Sequence, residues 1–201
     1  MLSGQTQTQT VNLWSTPVQL MGVDTSTQPD LSTVEYESAR ANSVSRNTQI
    51  LEQPEWHGLR EQALHTINHY AYAQLSITCA WQITNSWIAR TLPGESHHTH
   101  DHPNSILSGV IYLRTEPSEI HFHGQPGALA GARLDYPVHH RTETNSTTWV
   151  QPVEQDISIV FPSHVQHSVP TNTSNTTRII LGYNAWPRGN FHTDYAGDLR
   201  L

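Results

Sequence analysis

Residues 94–113 read GESHHTHDHPNSILSGVIYL, and the rest of the chain is best read outward from them. Four histidines and one aspartate fall within the six positions 97–102, and an apolar, β-prone run follows at once. His100 and His102 are two residues apart. On an extended strand residues i and i+2 project from one face, so both imidazoles can reach one metal ion while Asp101 points the other way; only a break in the strand there makes Asp101 the ligand in place of His102. A later stretch, IVFPSHVQHSVPTN (159–172), brings a third histidine, His167, directly after an apolar strand and a Pro-Ser turn. Two histidines at a strand edge and one from a distant strand point to a mononuclear metal centre in a β-barrel.

Composition narrows the setting. The chain has 201 residues, enough for one domain with a sizeable core. A formal charge of −7, and ten basic residues that are all arginine, give no basic face for nucleic acid. Cys79 is the only cysteine, so no internal disulfide forms and no oxidising compartment is required. The start, MLSGQTQTQT, lacks a basic segment followed by an apolar one, and no apolar run approaches membrane-spanning length. A cytoplasmic protein is the expectation.

The periodicity changes along the chain. Residues 1–30 are polar, with short β-like pieces at 11–14 and 18–21. Asp30 is placed to cap a helix from Leu31 through Val34 and Tyr36, and residues 43–49 read as loop. Pro54 then opens the strongest helix, 55–75, with Trp56, Leu59, Ala63, Ile67, Tyr70 and Ala71 on one stripe, suited to the outside of a sheet. His57, His65 and His69 fall on its surface. From Ser76 the period becomes two. Residues 76–90 alternate around Trp81, Ile83 and Trp87, and strands are expected at 106–114, 119–123, 147–150, 157–161 and 178–183. The expected organisation of domain 1–201 is a helical extension (1–75), a β core (76–185) and a C-terminal tail (186–201). Both tryptophans are expected in core packing, with the loop 124–146 shaping a substrate pocket.

In the last strand Arg178, Ile180, Gly182 and Asn184 share one face, and Ile179, Leu181 and Tyr183 share the other. An arginine directed into an apolar barrel needs an anion, and a co-substrate carboxylate matches its bidentate geometry.

The runs NSWIAR (85–90), H-x-H-P (100–103), LSGVIYL (107–113), VFPSHVQHSVPTN (160–172) and TRIILGYN (177–184) resemble a family of small 2-oxoglutarate/Fe(II) oxygenases. The resemblance covers about residues 76–185, and the ordered set is more specific than any one piece. It implies a mainly β fold, a double-stranded β-helix or cupin-like jelly roll, with N-terminal helices packed outside. It implies Fe(II) held by His100, His102 and His167, and 2-oxoglutarate as co-substrate. Arg178 matches the basic residue on the far carboxylate and Tyr112 a position that assists it, while Asn184 falls within the motif. The implied reaction is hydroxylation of a small molecule or peptide with O2, and a homodimer is the one assembly considered.

The wider superfamily uses His-x-Asp/Glu where this chain has His-x-His, which leaves the centre one charge more positive. A cupin that does not use 2-oxoglutarate also fits part of the pattern: Gly94 to His102 follows G-x5-H-x-H, and Pro162 to His167 follows P-x4-H. A non-catalytic jelly-roll binding module is the third reading. Arg178 separates the first two, since only the keto acid requires it. His97 and His98 are expected at the rim. His121 and His123 share a strand face, and a second polar cluster, a structural role and a substrate-facing role are all open to them.

Overall fold

The apolar run after the histidines is a strand, Leu107–Arg114, whose alternate residues enter two different cores. Leu107, Ile111 and Leu113 pack toward a helix, whereas Val110 and Tyr112 pack between two sheets. The computed structural model describes residues 15–124, 137, 139–142, 145–193 and 197–200. In chain order the strands are β1 (Gln19–Gly22), β2 (Tyr36–Ser38), β3 (Ser43–Ser45), β4 (Ala80–Thr91), β5 (His97–His100), β6 (Leu107–Arg114), β7 (Ser118–His123), β8 (Thr148–Val153), β9 (Ile157–Pro162), β10 (Gln166–Val169), β11 (Arg178–Arg188), β12 (Asn190–Thr193) and β13 (Gly197–Arg200). The α-helix is α1 (His57–Leu75).

Two antiparallel sheets build the body. The larger has the order β1-β9-β6-β11-β4-β3-β2, the smaller β5-β10-β7-β8, and β12 pairs with β13 separately. Between the sheets lie Tyr112, Ile120, Phe122, Val153, Ile159 and Phe161. On the other face of the larger sheet α1 buries Leu59, Ala63, Ile67, Tyr70 and Ala71 against Ile88, Ile111, Leu181 and Tyr183. Each fully buried Leu or Ile there contributes about 1.5–3 kcal/mol. The helix begins in a 3-10 turn, Pro54–Trp56, and ends at Ser76, whose φ of 55° is the left-handed conformation that closes helix ends. The expected helix, its apolar stripe and its role outside the sheet are all present, and its histidines 57, 65 and 69 are exposed.

The rest of the N-terminal third differs from the expectation of a helical extension. Asp30 Oδ1 does accept from Ser32 N (2.9 Å), but it caps only the 3-10 turn Leu31–Thr33. Tyr36 lies in β2, and the Ser43–Ser45 part of the expected loop is β3, which pairs with β4. Serine-rich strands carry little apolar alternation. Here a neighbouring sheet edge supplies their partners, and Arg90 of β4 stacks over the ring of Tyr36 at 4.2 Å. Residues 186–201 are likewise more than a tail, since β11 runs to Arg188 and the β12–β13 hairpin follows. The expected strand at 11–14 and most of the loop 124–146 lie outside the described residues.

Strand β4 contains one extra residue. Asn85 pairs with Asn184 and Ile83 with Ala185, so Thr84 has no register partner on β11. Such a bulge reverses the alternation beyond it. Trp81 and Ile83 face the helix, as do Ser86 and Ile88 after the bulge, and Trp87, Ala89 and Thr91 turn inward.

Candidate metal centre

The smaller sheet delivers two of the three histidines as a cross-strand pair, His100 of β5 opposite His167 of β10. His102 follows the end of β5, and its backbone N–H donates to Ser163 O (3.0 Å), which fixes it beside the β9–β10 turn. One ring nitrogen from each of His100, His102 and His167 lies within 4.8 Å of the others. His102 Nε2 and His167 Nε2 are 3.3 Å apart. His100 Nδ1 donates to His98 O (2.8 Å) and His167 Nδ1 to Val165 O (3.0 Å), which puts the lone pair of each ring on Nε2, that of His167 turned toward His102 Nε2. This carbonyl support is the usual way in which a metal-binding imidazole is oriented. Asp101 is exposed and outside the cluster.

Burial favours the neutral, ligating form. It lowers the His102 pKa to about 3, with neighbouring imidazoles adding to the effect, and lowers that of His167 to about 4. The His100 pKa is lowered for the same first reason. Phe161 closes the apolar side, 4.8 Å from the His167 ring, with Phe122 at 5.2 Å from Phe161. Three neutral imidazoles converging on one point fit a divalent ion such as Fe(II).

Arg178 lines the same cavity and is only 5% exposed. Its Nη1 donates to Ser118 Oγ (2.7 Å) and its Nη2 to Pro170 O (3.2 Å). Among the described residues no carboxylate pairs with it. Tyr112, buried beside it, also lines the cavity, and desolvation raises its pKa while Arg178 opposes the rise. A buried cation with an unmet charge and a phenol beside it suit one end of a dicarboxylate.

The other expectations divide. Asn184 is buried on the inward face but does not line the cavity; its Oδ1 accepts from Ser108 Oγ (2.7 Å), in a chain continued by Ser163 and Ser105. Trp81 is core, as expected. Trp87 is not: it lines the cavity, with its rings 5.4 Å from His102. The bulge at Thr84 is the reason, because unbroken alternation would put Trp87 on the face of Trp81. His98 is exposed as a rim residue should be, but His97 lines the cavity and stacks on His100 at 4.3 Å. His121 bonds Glu119 (2.6 Å) and His123 bonds Thr148 and Ser168, a polar cluster apart from the cavity.

Residues 85–184 match the family model described as "Putative 2OG-Fe(II) oxygenase", and the chain belongs to that family of 2-oxoglutarate- and Fe(II)-dependent oxygenases. No curated protein matches the sequence. Among solved structures, HygX from Streptomyces hygroscopicus with nickel, 2-oxoglutarate and hygromycin B bound superposes with a TM-score of 0.60 at 10% identity, over 86% of this chain and 83% of that one. An oxidoreductase of the 2OG-Fe(II) oxygenase family from Burkholderia pseudomallei gives 0.55 at 18% identity, covering 77% and 72%. SnoK, a non-heme α-ketoglutarate-dependent carbocyclase from nogalamycin biosynthesis, gives 0.54 at 19%, covering 79% and 70%. The fold is the jelly roll expected from sequence, and the enzyme uses Fe(II) and 2-oxoglutarate rather than the chemistry of a keto-acid-independent cupin or a binding module.

Proposed function

We propose that this enzyme hydroxylates a C–H bond of a small-molecule or peptide substrate, with Fe(II) held by His100, His102 and His167 and 2-oxoglutarate anchored by Arg178 and Tyr112. The supporting observation is Arg178: a guanidinium buried without a carboxylate partner among the described residues, lining the cavity that the three histidines also line. Bound together, Fe(II) and 2-oxoglutarate would supply, with O2 as the oxidant, an oxidative decarboxylation that yields CO2 and succinate carrying one oxygen atom and delivers the other to the substrate.

The protein's own part is positioning. Three imidazole ligands leave coordination positions open for the co-substrates and contribute no negative charge, so a dicarboxylate balances both the ion and Arg178. Arg178 and Tyr112 orient the far carboxylate. Val169, Ile180, Phe122 and Phe161 keep water from the pocket. Trp87 forms the wall beside His102.

The test is succinate formation, followed by mass spectrometry, across a panel of small molecules and peptides with iron, 2-oxoglutarate and O2. A substrate that gains one oxygen in step with succinate supports the proposal. Iron and keto acid that bind without succinate from any candidate or from cell extract would refute it.

A further inference from the structure

His97 is unaccounted for by the metal set, and its surroundings give it a role that rests on the reading of this cavity as the keto-acid pocket. In the pairing of β5 with β10, His100 faces His167 and His97 faces Val169, so three steps on one strand match two on the other. The extra residue turns His97 onto the face of His100, where simple alternation would send it outward. Its ring lies nearly parallel to that of His100, with centroids 4.3 Å apart and planes at 16°. It lines the cavity that Tyr112, Val169 and Arg178 also line, yet stands outside the group of converging ligand nitrogens.

His100 and His167 each commit a ring nitrogen to a backbone carbonyl. Neither nitrogen of His97 has a hydrogen-bond partner among the described residues. Its position along the cavity follows from the register. Val169 lies two residues beyond His167, and the next residue, Pro170, accepts from Arg178 Nη2. His97 therefore stands between the level of the metal ligands and the level of the arginine.

We propose that His97 donates a hydrogen bond to the far carboxylate of 2-oxoglutarate, as a third donor beside Arg178 and Tyr112. A carboxylate has acceptor capacity for more donors than one guanidinium and one phenol provide. The stack on His100 holds the donor in place, so little side-chain freedom is lost when the keto acid binds. His97 is a positioning residue for the co-substrate and a determinant of the choice of a dicarboxylate over a shorter 2-oxo acid.

The test uses the full-length Fe(II) protein under anaerobic conditions, titrated with keto acid and followed by the iron–keto-acid charge-transfer band. His97→Phe keeps a stacked ring and removes the donor; His97→Gln keeps a donor. The Phe variant should bind 2-oxoglutarate roughly 10- to 100-fold more weakly, the size of one lost hydrogen bond to a charged group, and the Gln variant should recover most of the loss. Both should bind 2-oxobutanoate, which lacks the far carboxylate, as the wild type does. Wild-type affinity of His97→Phe for 2-oxoglutarate would overturn the proposal. So would an equal loss for the two keto acids, or a loss of iron from both variants, since either would mean that His97 acts on the metal through His100. Failure of the wild type to form the band would instead refute the keto-acid site itself.

Discussion

The indole of Trp87 occupies the space that a side chain on Gly182 would need. A Cβ at position 182 would lie 2.6 Å from Cε2 and Cζ2 of Trp87, whose rings sit 5.4 Å from His102. The two residues face each other across the β4–β11 ladder, so the glycine sets how close the tryptophan lies to the metal centre.

Gly182→Ala should push Trp87 toward His102, costing about 1–3 kcal/mol of stability by overpacking and weakening iron binding as well. Gly109→Ala is the informative contrast. It would crowd the ring of Tyr183, whose hydroxyl bonds Thr66 and Ser158 in the helix-side core. Unfolding midpoints should fall for both, whereas iron affinity of the folded protein should fall only for Gly182→Ala.

His100→Ala and His167→Ala should each lose stoichiometric iron, and Asp101→Ala should retain it, because Asp101 is exposed and outside the cluster. Elemental analysis of protein loaded anaerobically decides this. Iron retained in either histidine variant removes that residue from the ligand set.

Arg178→Met should separate stability from binding. Replacing an unpaired buried charge by an apolar side chain of similar length is neutral or stabilising in the metal-free protein. The same change should abolish the gain in melting temperature that 2-oxoglutarate gives the iron form. Tyr112→Phe should lose only part of that gain, roughly 1.5–3 kcal/mol for a hydrogen bond to a charged group. An undiminished keto-acid shift in Arg178→Met would remove the arginine from the site.

Acid should destabilise the metal-free protein earlier than carboxylate protonation alone would. The unfolded chain protonates its histidines around the ordinary value of 6.5, whereas His102 and His167 in the fold stay neutral until about 3 and about 4. The unfolded state thus binds more protons below pH 6.5, and stability falls as pH drops from there toward 4. Urea midpoints at pH 7.5 and pH 5 measure the loss, and His102→Phe should show a smaller one. Equal slopes for variant and wild type would rule out His102 as a source.

Much of the site was legible because its residues obey simple periods. His100 and His102 share a face by spacing, and on β11 strict alternation sends Arg178 into the cavity and Ile179 and Leu181 into the helix-side core. The misread residues lie next to bulges. One extra residue at Thr84 moved Trp87 from core to cavity, and one between His97 and His100 moved His97 from rim to wall. Nothing in the local sequence marks either bulge, since both arise from what the partner strand pairs with. Asn184 shows a different limit: periodicity gives its inward direction, but the hydroxyls that hold it come from β6, the turn before it and the β9–β10 turn.

Strand β5 is four residues long and, among the described residues, lies at a sheet edge and pairs on one side only, with β10. Backbone pairing alone gives so short an edge little hold. An ion shared by His100, His102 and His167 would act as a clasp, fastening that edge to β10 and to the β9–β10 turn at once. Iron would then serve as a mechanical part as well as a reagent. A molecule that loses its ion would begin to unzip at β5, taking His97 and one wall of the pocket with it, and hydrogen exchange there would report iron occupancy directly.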